Sequence, residues 1–195
     1  MREEAFYTKI ISRLEKDLEC LPKGYKAAWS YNKSLPAMIE EIESKLKGKT
    51  LFRNDHVPRL KIDILMGVKS ARADKIALTL FEVKLSNNLA LKDFSQLAGY
   101  LQVAKKIKTG ILLLIRKSAH TSGLSNDFSD ILHVNNLPMW WQTVLKISRK
   151  TTSYYFKTGV CLYTQNDGID WYPTERLGGF GNYDDFVRFI VKELR

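Results

Sequence analysis

The chain has 195 residues, 45% of them hydrophobic, with only 11 Gly and 5 Pro, which suits one globular core and excludes a low-complexity or fibrous chain. Lys and Arg number 31 against 21 Asp and Glu, a net +10 that favours a polyanionic partner, nucleic acid before an anionic membrane surface. No run approaches the roughly 18 uninterrupted apolar residues of a membrane span.

Through EEAFYTKIISRLEKDLEC, the residues Phe6, Ile10, Ile11, Leu14 and Leu18 recur at helical spacing, so an amphipathic helix is predicted, ended by Pro22 and Gly24. The charged start, MREEAFYTKI, lacks a signal peptide's apolar centre, and Cys20 and Cys161 match neither a metal-ligand spacing nor a disulfide framework. A reduced, cytoplasmic protein is the expectation. KAAWSYN suits a short strand. In SLPAMIEEIESKLKGK, a Ser34 cap, Pro36 near the first turn and a stripe of Ile39, Ile42 and Leu46 predict a second helix.

RLKIDILMGV and KIALTLFEVKL read as strands, and the short connection KSARAD makes them antiparallel neighbours. LALKDFSQLAGYLQVAKKIK follows as a helix and TGILLLIRK as a strand, an order that implies a right-handed crossover into parallel or mixed pairing. NNLPMWWQTVLKISRK is read as a further helix, with Trp140 and Trp141 near its start. SYYFKTGVCLYTQNDGIDWYPTE holds two or three short strands, and GNYDDFVRFIVKEL a last helix capped by Asn182, with Phe186, Phe189 and Ile190 buried. The economical fold is one α/β domain over residues 1–195, a central mixed β-sheet flanked by helices. The basic clusters KLKGK, KKIK, RK and SRK are dispersed, so they decorate folded elements rather than a disordered arm.

Chemistry concentrates where polar groups interrupt apolar strands. Glu82 and Lys84 stand two residues apart and therefore share a face with Leu78 and Leu80, while Phe81, Val83 and Leu85 take the other. Asp63 sits among Ile62, Ile64, Leu65 and Met66, a costly place for a carboxylate without a partner. Antiparallel pairing brings Asp63 opposite the region of Glu82 to Lys84, so two carboxylates and an ammonium converge at one end of the sheet. Asp63, Glu82 and the backbone carbonyl of Val83 are hard oxygen donors suited to Mg²⁺, with Mn²⁺ as the alternative. Such an ion contacts a phosphate oxygen and acidifies a bound water. Lys84 is placed to orient or deprotonate that water and to offset charge on phosphorus.

Asp63, then Glu82-Val83-Lys84 on the next strand, then a helix and another apolar strand, resembles the core of the PD-(D/E)XK nuclease superfamily, the restriction-endonuclease-like fold. The resemblance covers about residues 1–116 and leaves 117–195 as an elaboration. It implies a metal-dependent DNA nuclease, more naturally an endonuclease, with Asp63 and Glu82 as metal ligands and Lys84 as the catalytic lysine. Gln96 and Tyr100, four apart in FSQLAGYL, match the Gln and Tyr of the RecB-like branch and share one helical face. A first-helix acid near the metal is also implied; Glu4 is the choice, with Glu3 and Glu15 as alternatives. The superfamily's proline does not directly precede the aspartate, since Ile62 stands there and Pro58 lies further upstream. One such site cuts one strand, so a homodimer is attractive for two-strand cleavage. The rival expectations are a silent nucleic-acid-binding module of the same fold and a basic protein-interaction domain.

His56 precedes the Asp63 strand and reads as exposed, and His120 and His133 have no ligand spacing. Lys92 shares a helical face with Gln96 and Tyr100. The tryptophan pair reads as core plus rim. GGFGN, residues 178–182, lacks the strand, lysine and hydroxyl of a phosphate loop and reads as a turn into the last helix.

Overall fold

Along Ile76–Ser86, Leu78 and Leu80 enter one apolar cluster while Phe81 and Val83 enter another, so this strand is buried on both faces and the sheet is a central layer. The computed structural model describes residues 2–52, 56–116, 123–147 and 150–194. A 3-10 turn, Glu3–Phe6, leads into α1 (Tyr7–Asp17), followed by β1 (Tyr25–Ser34), α2 (Leu35–Leu46), β2 (Lys61–Ser70) and β3 (Ile76–Ser86). Then come β4 (Asn88–Leu89), α3 (Leu91–Val103), β5 (Thr109–Arg116), β6 (Gly123–Leu124) and α4 (Asn126–His133). The chain closes with β7 (Trp140–Ile147), β8 (Lys150–Thr164), β9 (Gly168–Trp171) and α5 (Tyr183–Glu193).

Among the described residues, seven strands form one mixed sheet in the order β1-β2-β3-β5-β8-β7, with β9 on β8. β1, β2 and β3 are antiparallel, β3, β5 and β8 are mutually parallel, and β7 and β9 run antiparallel to β8. The ends of β3, β5 and β8 therefore lie along one edge of the sheet, beside the start of β2. The expected α/β architecture with helices on both faces is present. The segment past residue 117 is built into it, since β8 lies directly against β5.

One face is covered by α2, α3 and α4 through Ile39, Ile42, Leu97, Leu101 and Phe128, packed on Leu80, Leu112 and Leu114. The other is covered by α1 and α5 through Ile10, Ile11, Leu14, Phe186 and Ile190, packed on Ile64, Phe81 and Ile111. Each such side chain contributes about 1.5–3 kcal/mol when fully buried. The helix α2 lies so close to β2 that a Cβ at Gly67 would stand 2.3 Å from Ile42 Cγ2.

The helix expected over NNLPMWWQTVLKISRK is not formed; Trp140–Ile147 is strand β7, paired with β8 from Trp140↔Lys157 to Ile147↔Lys150. Trp, Thr, Val and Ile favour extended backbone, and Pro138 interrupts any helix before them. Trp141 packs on Phe156 with ring centroids 4.0 Å apart, whereas Trp140 is 43% exposed, the expected core-and-rim pair. The short strand expected at KAAWSYN extends over Tyr25–Ser34, and the expected short strands near residue 160 include the 15-residue β8. Asn182 caps α5 by accepting from the Asp185 N–H at 2.9 Å. Ser34 occupies the N-cap position of α2 without a side-chain cap bond. Among the described residues, no helix is long and apolar enough to cross a membrane.

Candidate active site

The β2–β3 pairing ends at Ile64↔Phe81, which sets Asp63 just past the last pair and across from Glu82. On its other side, β2 pairing passes from Tyr31↔Ile64 to Lys33↔Ile62, and between them Asn32 adopts a left-handed φ of 52°. The sheet thus loosens around Asp63. Beyond that point side chains serve the β3 backbone in place of a neighbouring strand. The Val83 N–H donates to Asp63 Oδ2 at 2.8 Å, and the Leu85 N–H donates to Glu3 Oε1 at 2.9 Å. Alternate residues of a strand present their backbone groups to the same edge, which is why residues 83 and 85 share this role.

The second oxygen of Asp63 accepts from the Tyr7 hydroxyl at 2.8 Å. Tyr7 is buried, and burial together with the bond to Asp63 holds its phenol far above the ordinary range, so it remains a donor. Tyr7 was not singled out in the sequence. A signal was present: Tyr7 precedes Ile10, Ile11 and Leu14 on one helical stripe, and a buried tyrosine needs a polar partner for its hydroxyl.

Glu82 is 2% exposed. Burial, with the Asp63 charge next, pushes its carboxyl up to about 7 against the opposing pull of Lys84. The Lys84 ammonium donates to Glu82 Oε1 at 2.5 Å and to Gln96 Oε1 at 3.1 Å, and Gln96 Nε2 donates to the Tyr100 hydroxyl at 2.8 Å. Burial draws the Lys84 pKa down, but the bond and charge of Glu82 outweigh it and leave it above the ordinary value. Lys84 is therefore charged at neutral pH. The helix α3 carries Gln96 and Tyr100 one turn apart, and its start is fixed by the Ala90 N–H donating to Asp93 at 2.8 Å.

Asp63, Glu82, Lys84, Gln96, Tyr100 and Glu4 all line one cleft of about 490 Å³, together with Tyr7, Glu3, Arg2 and Lys61. The two first-turn acids differ in direction. Glu4 is exposed and lies 3.9 Å from Lys61, whereas Glu3 turns inward onto the Leu85 N–H. Glu15 and Lys92 are exposed and do not line the cleft, and His56 and His133 are exposed as well. His120 lies outside the described residues. In GGFGN, Phe180 is fully buried and pairs with Gly159, a packed turn ahead of α5.

The donors suit a hard divalent cation in kind: Asp63, Glu82 and Glu3 are carboxylates, and the mutual repulsion of Asp63 and Glu82 is relieved by a cation or a proton. Val83 presents its carbonyl to the same edge as its N–H, the side of Asp63. Each carboxylate also has a protein donor, and among the described residues no three Asp, Glu, His or Cys side chains gather into a metal-holding group. No family model, curated protein or solved structure matches the chain.

Proposed function

We propose that the protein is a metal-dependent nuclease of the restriction-endonuclease-like fold, hydrolysing phosphodiester bonds in DNA at the cleft between the start of β2 and the end of β3. One observation carries the proposal: the buried Glu82 stands across from Asp63 where the β2–β3 pairing ends, with the Lys84 ammonium 2.5 Å from its carboxylate. A buried carboxylate raised to about 7 beside a second carboxylate is a poor structural choice and a good cation site. Asp63, Glu82 and the Val83 carbonyl would hold Mg²⁺ or Mn²⁺, and Glu3, by its inward direction, is preferred to Glu4 as the further acid. The bound ion supplies an acidified water and compensates charge on the phosphate.

The residues of the chain do the rest. Lys84 keeps its proton, so it orients the nucleophile and offsets charge on phosphorus rather than acting as the base. Gln96 and Tyr100 hold the Lys84 ammonium toward the cleft. Tyr7 and the Val83 N–H each donate to one oxygen of Asp63 and so hold its carboxylate in place. One such centre cuts one strand at a time, and a homodimer would bring a second centre to the other strand of a duplex.

A second reading, a silent nucleic-acid-binding module of the same fold, is favoured by the protein donors that already satisfy Asp63, Glu82 and Glu3. Incubation of circular, linear and branched DNA with the purified protein in Mg²⁺, Mn²⁺ or EDTA, beside Lys84→Ala, separates the two. Metal-dependent cleavage lost in Lys84→Ala supports the nuclease. Folded protein that binds DNA and cleaves none of the substrates in either metal supports the silent module.

A further inference from the structure

We infer that a second cleft, walled by α1 and the β8–β9 hairpin, is a binding groove for the sugar-phosphate backbone of a nucleic acid strand. The cleft measures about 410 Å³ and is lined by Lys9, Arg13 and Lys16 from α1 and by Thr164, Gln165 and Gly168 from the hairpin. The three cations follow i, i+4, i+7 spacing and so share one helical face. At 1.5 Å rise per residue they form a ladder about 10 Å long, comparable to roughly three steps of a duplex at 3.4 Å rise along its axis.

No carboxylate lines this cleft among the described residues. Asp17 lies 3.4 Å from Arg13 Nε, and Asp167 accepts from the Thr164 hydroxyl at 3.0 Å. The floor is shaped for Arg13. Gly168 has a φ of 94°, and a Cβ there would stand 2.6–2.7 Å from the Arg13 guanidinium, which therefore lies against bare backbone. The remaining surface offers the hydroxyls of Thr8 and Ser12, so the groove is concave and hydrogen-bonding. A membrane-seeking helix needs an exposed apolar face, and the apolar residues of α1 are turned into the core.

Position links the groove to the first cleft. Thr164 ends β8 and Glu82–Lys84 lie near the end of β3, strands that run parallel in one sheet, and α1 starts with Tyr7 on Asp63. The helix is thus the shared wall of both clefts, and a strand in the groove is led toward the proposed hydrolytic centre. That destination rests on the nuclease proposal; the groove itself does not.

The test is fluorescence anisotropy of labelled single-stranded and duplex oligonucleotides in EDTA across a salt series. It compares native protein, Lys9→Glu/Arg13→Glu/Lys16→Glu, a milder Lys9→Gln/Lys16→Gln variant and the charge-preserving Lys9→Arg/Lys16→Arg variant, each checked for unaltered thermal unfolding. These side chains are exposed, and the Lys9→Gln/Lys16→Gln variant leaves Arg13 and its Asp17 pair in place, so the test stands even where the triple variant loses stability. The expected result is at least a tenfold loss of affinity in the triple variant and a salt slope smaller by about 2–3. An intermediate loss follows in the Gln variant and none in the Arg variant. Native affinity and slope in the triple variant overturn the groove, as does binding to anionic vesicles but not to oligonucleotide. Native protein that binds through these residues yet cleaves nothing in Mg²⁺ or Mn²⁺ overturns the nuclease and leaves the groove standing. Cleavage by native protein with unchanged binding in the triple variant does the reverse.

Discussion

The Val83 N–H donates to Asp63 Oδ2 at 2.8 Å, so a side chain of β2 does for β3 what a backbone carbonyl does earlier in the same ladder. Asp63 is thereby a structural acceptor as well as a proposed ligand, and the two roles separate by substitution. Asp63→Ala leaves the Val83 N–H and the Tyr7 hydroxyl without their acceptor, costing about 1–3 kcal/mol in urea unfolding. Asp63→Asn retains one carbonyl oxygen and loses roughly half as much. If Asp63 is a ligand as proposed, both are expected to abolish metal-dependent cleavage, because neither offers a charged ligand.

Glu82 makes stability depend on pH with a definite sign. Its carboxyl titrates near 7 in the folded chain, raised first by burial and then by Asp63, against about 4.3 when unfolded. Between those values the folded chain binds more protons, so this group's contribution to stability is fully present below about 4.3 and is lost as pH rises through 7. Glu82→Gln removes the titration. Relative to native protein in EDTA, that variant gains about 2 kcal/mol between pH 5 and pH 8, measured by urea unfolding at each pH. Added Mg²⁺ reduces the difference by favouring the ionised carboxylate of the native chain.

Lys84 is held charged between Glu82 and Gln96, and its loss removes a preorganised positive charge. Lys84→Ala is expected to lower kcat by about 10²–10³ while DNA affinity changes little. Gln96→Ala frees the ammonium without removing it and lowers kcat by less. Single-turnover cleavage at saturating protein reads both.

Glu3 and Glu4 are neighbours in one 3-10 turn, yet only Glu3 points at β3. Glu3→Ala is expected to weaken Mn²⁺ binding and to lower the melting temperature, since the Leu85 N–H loses its acceptor. Glu4→Ala removes an exposed contact with Lys61, and its effect on stability stays below about 1 kcal/mol. Calorimetric Mn²⁺ titration beside thermal unfolding of both variants checks this.

The convergence of Asp63, Glu82 and Lys84 was legible because strand alternation and a short antiparallel connection leave few alternatives. Leu78 and Leu80 do lie on the face opposite Phe81 and Val83. Gln96 and Tyr100 were picked out by their match to the RecB-like pattern, helical spacing puts them on one face, and a bond joins them. The different directions of Glu3 and Glu4 were not legible, because a one-residue rotation in a 3-10 turn carries no apolar signature. Tyr7 escaped because its meaning lies in a bond across 56 residues. The β7 segment misled because WWQTVLKI keeps apolar residues at both helical and strand periods, and its pairing with β8 decides the matter. The insertion of β8 between β5 and β7 is a long-range contact that no local pattern encodes.

Asp63 and Glu82 are proposed to form one cation site together. The most direct measurement is Mn²⁺ binding at neutral pH, followed by electron paramagnetic resonance, for native protein, Asp63→Asn and Glu82→Gln. The expected result is a single site of measurable affinity in the native chain, lost in each variant. Equal Mn²⁺ binding in all three, or none in the folded native protein, would contradict it.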